Sequence, residues 1–276
     1  MTLPEGTDSI NVPKIATGTT VAAQTADAAG VSSTDLTDSV ATAAVKTLAG
    51  QQDIALQLIE QSPGSFDEIV AADLLADYNM KLDQQCIVGS GASGQVQGIN
   101  GLSGTNGITY TSGAPTGPLT YAPVAQAISQ IAGNRYLPPT AIVMHPRRFF
   151  WLAAALDTAN RPLVVPSAAG PYNPEAVQTG MAAEGPIANM LGLPVYIDPN
   201  VPVLQGAGTE DRIYVVRAPD LLLWEGNLRT RVLPEVLSGT LQVRIQLYNY
   251  FAWMPDRYPK AISVVSGTGL IAPSGF

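Results

Sequence analysis

The only histidine of the chain lies in the stretch VMHPRRFFWLAAALDTANRPL, residues 143 to 163, beside two arginines and three aromatic residues. An imidazole at His145 could serve as a general base. Yet it stands between an unbroken apolar run and Pro146, where a side chain caps the next helix or packs at a corner. Arg147 and Arg148 then occupy the helix end that disfavours cations. They therefore answer an anionic partner, an acidic neighbour, or simple exposure. The reading adopted is structural: His145 and Pro146 turn the chain from a central strand into a helix, and Arg147 and Arg148 face a neighbour or solvent. On that reading, replacing both arginines by Ala alters assembly and leaves the subunit folded.

The remaining chemistry-bearing patterns are weaker. Gly89-Ser90-Gly91-Ala92-Ser93-Gly94 matches G-x-G-x-x-G, but a dinucleotide site needs a strand before it and a helix after it. Here a long helical pattern precedes and QVQGINGL follows, so the segment reads as a loop. No phosphate-cradling G-x-x-x-x-G-K-[ST] and no G-x-S-x-G occur. The acid pairs Asp67/Glu68 and Glu210/Asp211 are expected to be solvated. One cysteine, Cys86, and one histidine fall short of a zinc ligand set and of any internal disulfide. Expected catalytic, cofactor-binding and metal-binding residues are accordingly none.

The elements around these residues follow from patterning. Ser65-Phe66-Asp67-Glu68 fits a capping box, and Val70, Leu74, Tyr78 and Leu82 recur every four residues. A helix from about 65 to 86 follows, long enough to act as a spine. Pro123, Val124, Ala127, Ile128 and Ile131 predict a second helix ended by Gly133-Asn134. TAIVM (140–144) predicts a buried strand, and Pro146 opens a helix to about Leu156 packed through Phe149, Trp151, Leu152 and Leu156. Asn173-Pro174 could start a further helix. PVYID (194–198), RIYVV (212–216) and KAISVVSG (260–267) read as strands, and Leu241, Val243, Ile245 and Leu247 alternate with polar residues as a half-buried strand. The class is α+β.

The first 65 residues contain no aromatic side chain. VATAAVKTL (40–48) and IALQLIE (54–60), joined through AGQQD, predict an extended two-stranded arm that needs something to lie on; the alternative is a disordered linker. Composition agrees with a covered surface. Only 13% of residues are charged and 46% are hydrophobic, against a usual charged share of about a quarter. The longest apolar run, Phe149 to Leu156, is far short of the ~20 residues that cross a bilayer, and no signal-peptide pattern opens the chain. The net charge of −8 is unevenly spread, −9 over residues 1–134 and +1 over 135–276, with every arginine in the second part. The two parts could meet across subunits. Net acidity argues against tight, sequence-reading nucleic-acid binding.

Four segments in order resemble the tailed-phage major capsid proteins of the Hong Kong 97 fold, actinobacteriophage-like in character. They are FDEIVAADLLADYNMKLDQQCIVGSGASGQVQGI (66–99), IVMHPRRFFWLAAALDTANRPLVVP (142–166), GLPVYIDPNVP (192–202), and the late pair APDLLLWEGNLRTRVLPEV (218–236) with YPKAISVVSGTGL (258–270). The resemblance implies a short N-terminal arm at 1–17, an extended E-loop at 18–60, and a P domain at 61–119 and 231–265 carrying the spine helix. It further implies an A domain at 120–230 with a central sheet flanked by helices, and a C-terminal tail at 266–276. It implies self-assembly into pentamers and hexamers of an icosahedral shell around double-stranded DNA, held only non-specifically. Portal, scaffold or maturation protease, and decoration proteins would be partners. No cofactor, no membrane and no enzymatic activity are implied, and the place is the virion, assembled in the cytoplasm of a bacterial host. An encapsulin-type nanocompartment shell and an unrelated soluble enzyme are the alternatives. Asn160 stands where the family often has Gly, and Asn tolerates a positive φ. The short arm leaves two expectations, that Met1 is internal to a longer product or follows a maturation cut. Lys14 and Lys46 flank the arm, without a recognisable crosslinking partner.

Overall fold

A computed structural model describes residues 1–27, 29–61, 66–111, 120–156, 160, 164–166, 176–178, 185–271 and 275. The aromatic-free leader forms strands and no core of its own. β1 (Ser9–Thr17) and β2 (Thr37–Ala44) pair antiparallel, with Ser9 opposite Ala44 and Thr17 opposite Thr37. Residues 18–36 therefore span the tip. β3 (Lys46–Ala55) then leaves the hairpin, and α1 (Leu56–Gln61) follows it. This corrects the expected pairing of 40–48 with 54–60. Val45 separates two strands, AGQQD lies inside β3, and most of 54–60 is helical. A period of two names a strand but never its partner, and the partner of β2 came from further upstream.

α2 (Phe66–Val88) is the expected spine, a rod of roughly 34 Å at 1.5 Å per residue. Its cap at Ser65 lies outside the described residues. β4 (Asn106–Thr109), α3 (Tyr121–Arg135), β5 (Ala141–Met144) and α4 (Pro146–Ala154) come next. α3 runs past Gly133-Asn134 and stops where Tyr136 turns left-handed, at φ 56°. β6 (Val164–Pro166), β7 (Ala176–Gln178), β8 (Ala188–Met190), β9 (Leu193–Ile197) and β10 (Ile213–Val216) complete the middle of the chain. The helix expected at Asn173-Pro174 lies outside the described residues. β11 (Leu222–Glu225), β12 (Arg229–Leu237), β13 (Gln242–Met254) and β14 (Ile262–Ser266) close the fold. Leu241 is not in the expected strand; it is 70% exposed and left-handed just before β13.

Two sheets result. The larger has eight strands in the order β4-β14-β10-β5-β9-β8-β7-β6. Along β10, Ile213 and Val215 join α3 and α4 in one core, while Tyr214 and Val216 join the C-terminal end of α2 in another. Period-two alternation thus buries both faces of this strand. The smaller sheet is built on β13, with β3 along one edge and β11 and β12 along the other. Tyr78, Leu82 and half-buried Leu74 of α2 pack on Leu247 and Phe251 of one face. At the far end of the opposite face, Ala41 and Ala43 of the hairpin root cover Leu222, Trp224, Ala252 and Met254.

Candidate functional site

His145 is the N-cap of α4, and its Nδ1 accepts the backbone N–H of Arg147 at 3.1 Å. Burial and the neighbouring Arg147 charge hold its pKa below the usual imidazole value, so the ring is a neutral acceptor at pH 7. A nitrogen committed to capping is a poor general base. The corner reading of this residue agrees with its geometry.

The two arginines do not face outward, and this part of the expectation is corrected. Arg148 and Asp211 are both fully buried. Arg148 donates from Nε to Asp211 Oδ2 at 3.0 Å and from Nη2 to the carbonyls of Leu270 and Ile271, both at 2.7 Å. Arg147 donates from Nε to Asp211 Oδ1 at 3.1 Å and from Nη2 to the Val203 carbonyl at 2.9 Å. Arg147 Nη2 also pairs with Asp211. Burial pushes the Arg148 pKa down while Asp211 holds it up. The carboxylate sits near the N-terminus of α4, where negative charge is favoured, and thereby makes two cations acceptable there. The corner ties α4, the loop before β10 and the segment after β14 into one unit. The double Ala variant is thus expected to unfold the subunit, not merely to alter assembly.

The acid pair Glu210/Asp211 is likewise buried, against the expected solvation. Glu210 Oε2 accepts the Gly267 N–H at 3.1 Å. It folds over Gly206, where an added Cβ would come within 2.3 Å of the carboxyl carbon. Of the other pair, Glu68 is exposed and the Asp67 side chain lies outside the described residues. Sequence signals for a buried Asp211 were slight: an acid directly before a buried strand, and two unexplained cations elsewhere.

Gly89 to Gly94 forms the stop of α2. Gly89 N–H bonds the Gln85 carbonyl at 3.0 Å and Gly98 N–H bonds the Gly89 carbonyl at 2.8 Å. A Cβ on Gly98 would lie 2.5 Å from Gly89 N, so close backbone approach explains Gly89 and Gly98, and positive φ, 72° and 83°, explains Gly91 and Gly94. Of the expected packing face of α4, Phe149 and Leu152 are buried, Trp151 is half-buried, and Leu156 is 53% exposed. Asn160 takes the left-handed conformation at φ 59°. Among the described residues, no three His, Cys, Asp or Glu side chains gather as a metal site. No described helix is long and apolar enough to cross a membrane.

What remains unfilled is surface. On the face of the small sheet away from α2, a depression of about 420 Å³ is floored by Thr47, Ala49, Gln51, Arg231, Tyr248 and Tyr250. Arg231 stacks on Tyr248 at 5.3 Å, and Tyr248 meets Tyr250 edge-on at 6.1 Å. Arg229 lies on the same face opposite Tyr248, and Arg244 is paired with Asp53. The hairpin tip offers Val21, 97% exposed, and Val31, 85% exposed. Sequence patterning could not find this surface, because exposure depends on what the fold leaves uncovered.

A model of the phage capsid family matches residues 1–266. No curated protein sequence matches. Among solved structures, one from Mycobacterium phage Ogopogo superposes with a TM-score of 0.69 at 13% identity, covering 97% of this chain and 89% of that one. One from Mycobacterium phage Bobi gives 0.67 at 15% identity, covering 97% and 88%. A structure titled as the capsid of a native GTA particle gives 0.68 at 15% identity, covering 95% and 85%. These likenesses show the fold, an α+β architecture of the Hong Kong 97 type.

Proposed function

The chain belongs to the phage capsid family, and on that premise we propose how this shell protein meets its copies. It is a major capsid protein, a structural component of the virion and not an enzyme, and it self-assembles into oligomeric shells. In our reading the subunits form pentamers and hexamers of an icosahedral head around double-stranded DNA, assembled in the bacterial cytoplasm. Portal, scaffold or protease, and decoration proteins act on that shell.

The observation that carries this reading is a half-covered sheet. A subunit's own hairpin root covers only Ala252 and Met254 at the end of β13, while Tyr248 and Tyr250 on the same face stay open. We assign the neighbour's hairpin tip to that open stretch. Between residues 18 and 45 the arm carries Asp27, Asp35 and Asp38 and no Lys or Arg, and the open face presents Arg229 and Arg231. Opposite charge sets register and encounter. We redraw the expected domains on the sheets: the arm runs from Ser9 to Ala44, β4 and β14 move to the A domain, and β11 moves to the P domain. The P domain is then α2 with the small sheet, and the A domain is the large sheet with α3 and α4, joined by β4 and β14. The test is negative-stain microscopy with sedimentation on the purified protein. Closed shells or five- and six-membered rings are expected, and a concentrated monomer with no rings would overturn the reading.

A further inference from the structure

The spine helix carries two apolar stripes, and the small sheet uses one. Leu74, Tyr78 and Leu82 face it. On the opposite side, Ile69, Ala72, Ala76 and Met80 recur at steps of three, four and four residues, the spacing of a second helical stripe. Ile69 is 62% and Met80 42% exposed, and both alanines between them are exposed. Small residues between larger ones let another helix approach closely, ridge into groove. Asp73 and Asp77, also exposed, run along one side of the stripe, and Lys81, next in that row, turns to Gln84 at 3.3 Å; the stripe is about 16 Å long at 1.5 Å per residue.

The stripe does not stop at Met80. It runs into a groove of about 710 Å³ between α2 and the large sheet, lined by Met80, Asp83, Cys86, Tyr196, Asp198 and Trp253 among others. The lining includes two carboxylates and no Lys or Arg. Partial burial, then the like charge of Asp198, raise the Asp83 pKa, as expected of two acids with no cation between them.

We propose that the track from Ile69 to Trp253 docks a basic amphipathic helix supplied by a separate polypeptide. Stripe spacing selects a helix, and the flanking acids select a basic one. The described helices of a second copy do not qualify. α1 has no basic residue, α2 is itself acidic, the one cation of α3, Arg135, is paired with Asp220, and those of α4 are held by Asp211. Nucleic acid would meet four carboxylates. The inference deepens the shell reading on which it rests, giving the assembling subunit a site for a second protein.

The probe is a labelled synthetic helical peptide with Leu at the same three-and-four spacing and Lys on both flanks, titrated against assembled protein by fluorescence anisotropy. Saturable binding is expected, weakened at least tenfold in Asp73→Lys/Asp77→Lys and blocked in Ala76→Arg, all on an exposed face. A Glu-for-Lys peptide should show the reverse preference for the Lys variant. Equal binding to wild type and variants, no saturation on wild type, or displacement by duplex DNA overturns the proposal. So does loss of shells in the Lys variant alone, which would make the stripe a contact between copies. If wild type forms no shells the shell reading falls, and the same titration on the soluble subunit still decides the docking track.

Discussion

β10 and β14 of the large sheet are buried within one subunit, whereas the small sheet is covered along one face and only at one end of the other. All four residues of β10 are buried; of the nine residues of β12, seven are exposed. Both sheets draw on the same apolar residue types, so composition does not separate them. The core strands of the large sheet are covered by its own helices and loops, and Arg147 and Arg148 are held on Asp211 inside the subunit. The small sheet ends in aromatic and cationic side chains that have no cover. The first region makes a subunit fold; the second makes it incomplete without a neighbour.

That contrast predicts opposite behaviour on mutation. The largest effect should come from Asp211→Ala, which strands two guanidinium groups, one of them fully buried. Breaking a buried pair from one side costs about 3–5 kcal/mol. Urea unfolding of the isolated subunit should register this loss before any question of assembly arises. A midpoint equal to wild type would mean that the corner does not hold the large sheet together.

Between the two regions stands α2, tied to the small sheet through a polar contact in its apolar seam. Tyr78 donates its hydroxyl to Glu225 Oε1 at 2.6 Å, and Asn249, itself buried, donates to the Tyr78 hydroxyl at 2.9 Å. Tyr78→Phe removes a donor to a charged group and leaves the Asn249 amide with Glu225 Oε1, at 3.2 Å, as its remaining acceptor, at about 1–3 kcal/mol. The drop should appear in melting and in faster amide exchange along α2. Exchange that quickens only in α3 and β14 would place the coupling elsewhere.

How much of this contrast was legible in the sequence follows from the range of each interaction. The Leu74-Tyr78-Leu82 face, the buried strand at 141–144 and the cap at His145 depend on residues within a few positions of each other, and all appear where patterning put them. The four family segments in order carried the fold. The pairing of β2 with residues 9–17, the burial of Arg148 on Asp211 and the Tyr78–Glu225 contact span tens to hundreds of positions, and no local period encodes them. Two cations at a helix start and an acid before a buried strand were the visible signs of the corner, and they fitted exposure equally well until Asp211 was seen beneath the arginines. The expected absence of site residues remains a statement about motifs, and the open sheet face, made of unremarkable Arg and Tyr, left no motif to find.

A smaller effect belongs to the cap. His145→Ala should cost about 1 kcal/mol, the usual worth of an N-cap side chain, whereas His145→Asn keeps an acceptor and should lose less. The pH dependence has a definite sign. The folded imidazole titrates below the ordinary 6.5, so the unfolded chain binds the proton more readily. The contribution is therefore present above about pH 6.5 and is lost as pH falls from there through the folded value. Melting of wild type and His145→Asn between pH 5 and 8 should diverge only at the acid end. Parallel curves would mean that the ring titrates alike in both states.

The smallest change in subunit stability, and the sharpest test of the contrast, is expected on the open face. Arg231 contacts Tyr248 by stacking and otherwise meets solvent, and substitutions at such positions usually stay within roughly half a kcal/mol. Arg231→Glu should leave the melting curve of the subunit where it was. It would set an acid against the acidic arm of the next copy, and shells should then be scarce or form only at raised salt, where the repulsion is screened. Sedimentation across a salt series separates the outcomes. Normal shells at low salt would free this face from the neighbour's arm, and a destabilised subunit would move Arg231 from the unfinished region of the molecule to the finished one.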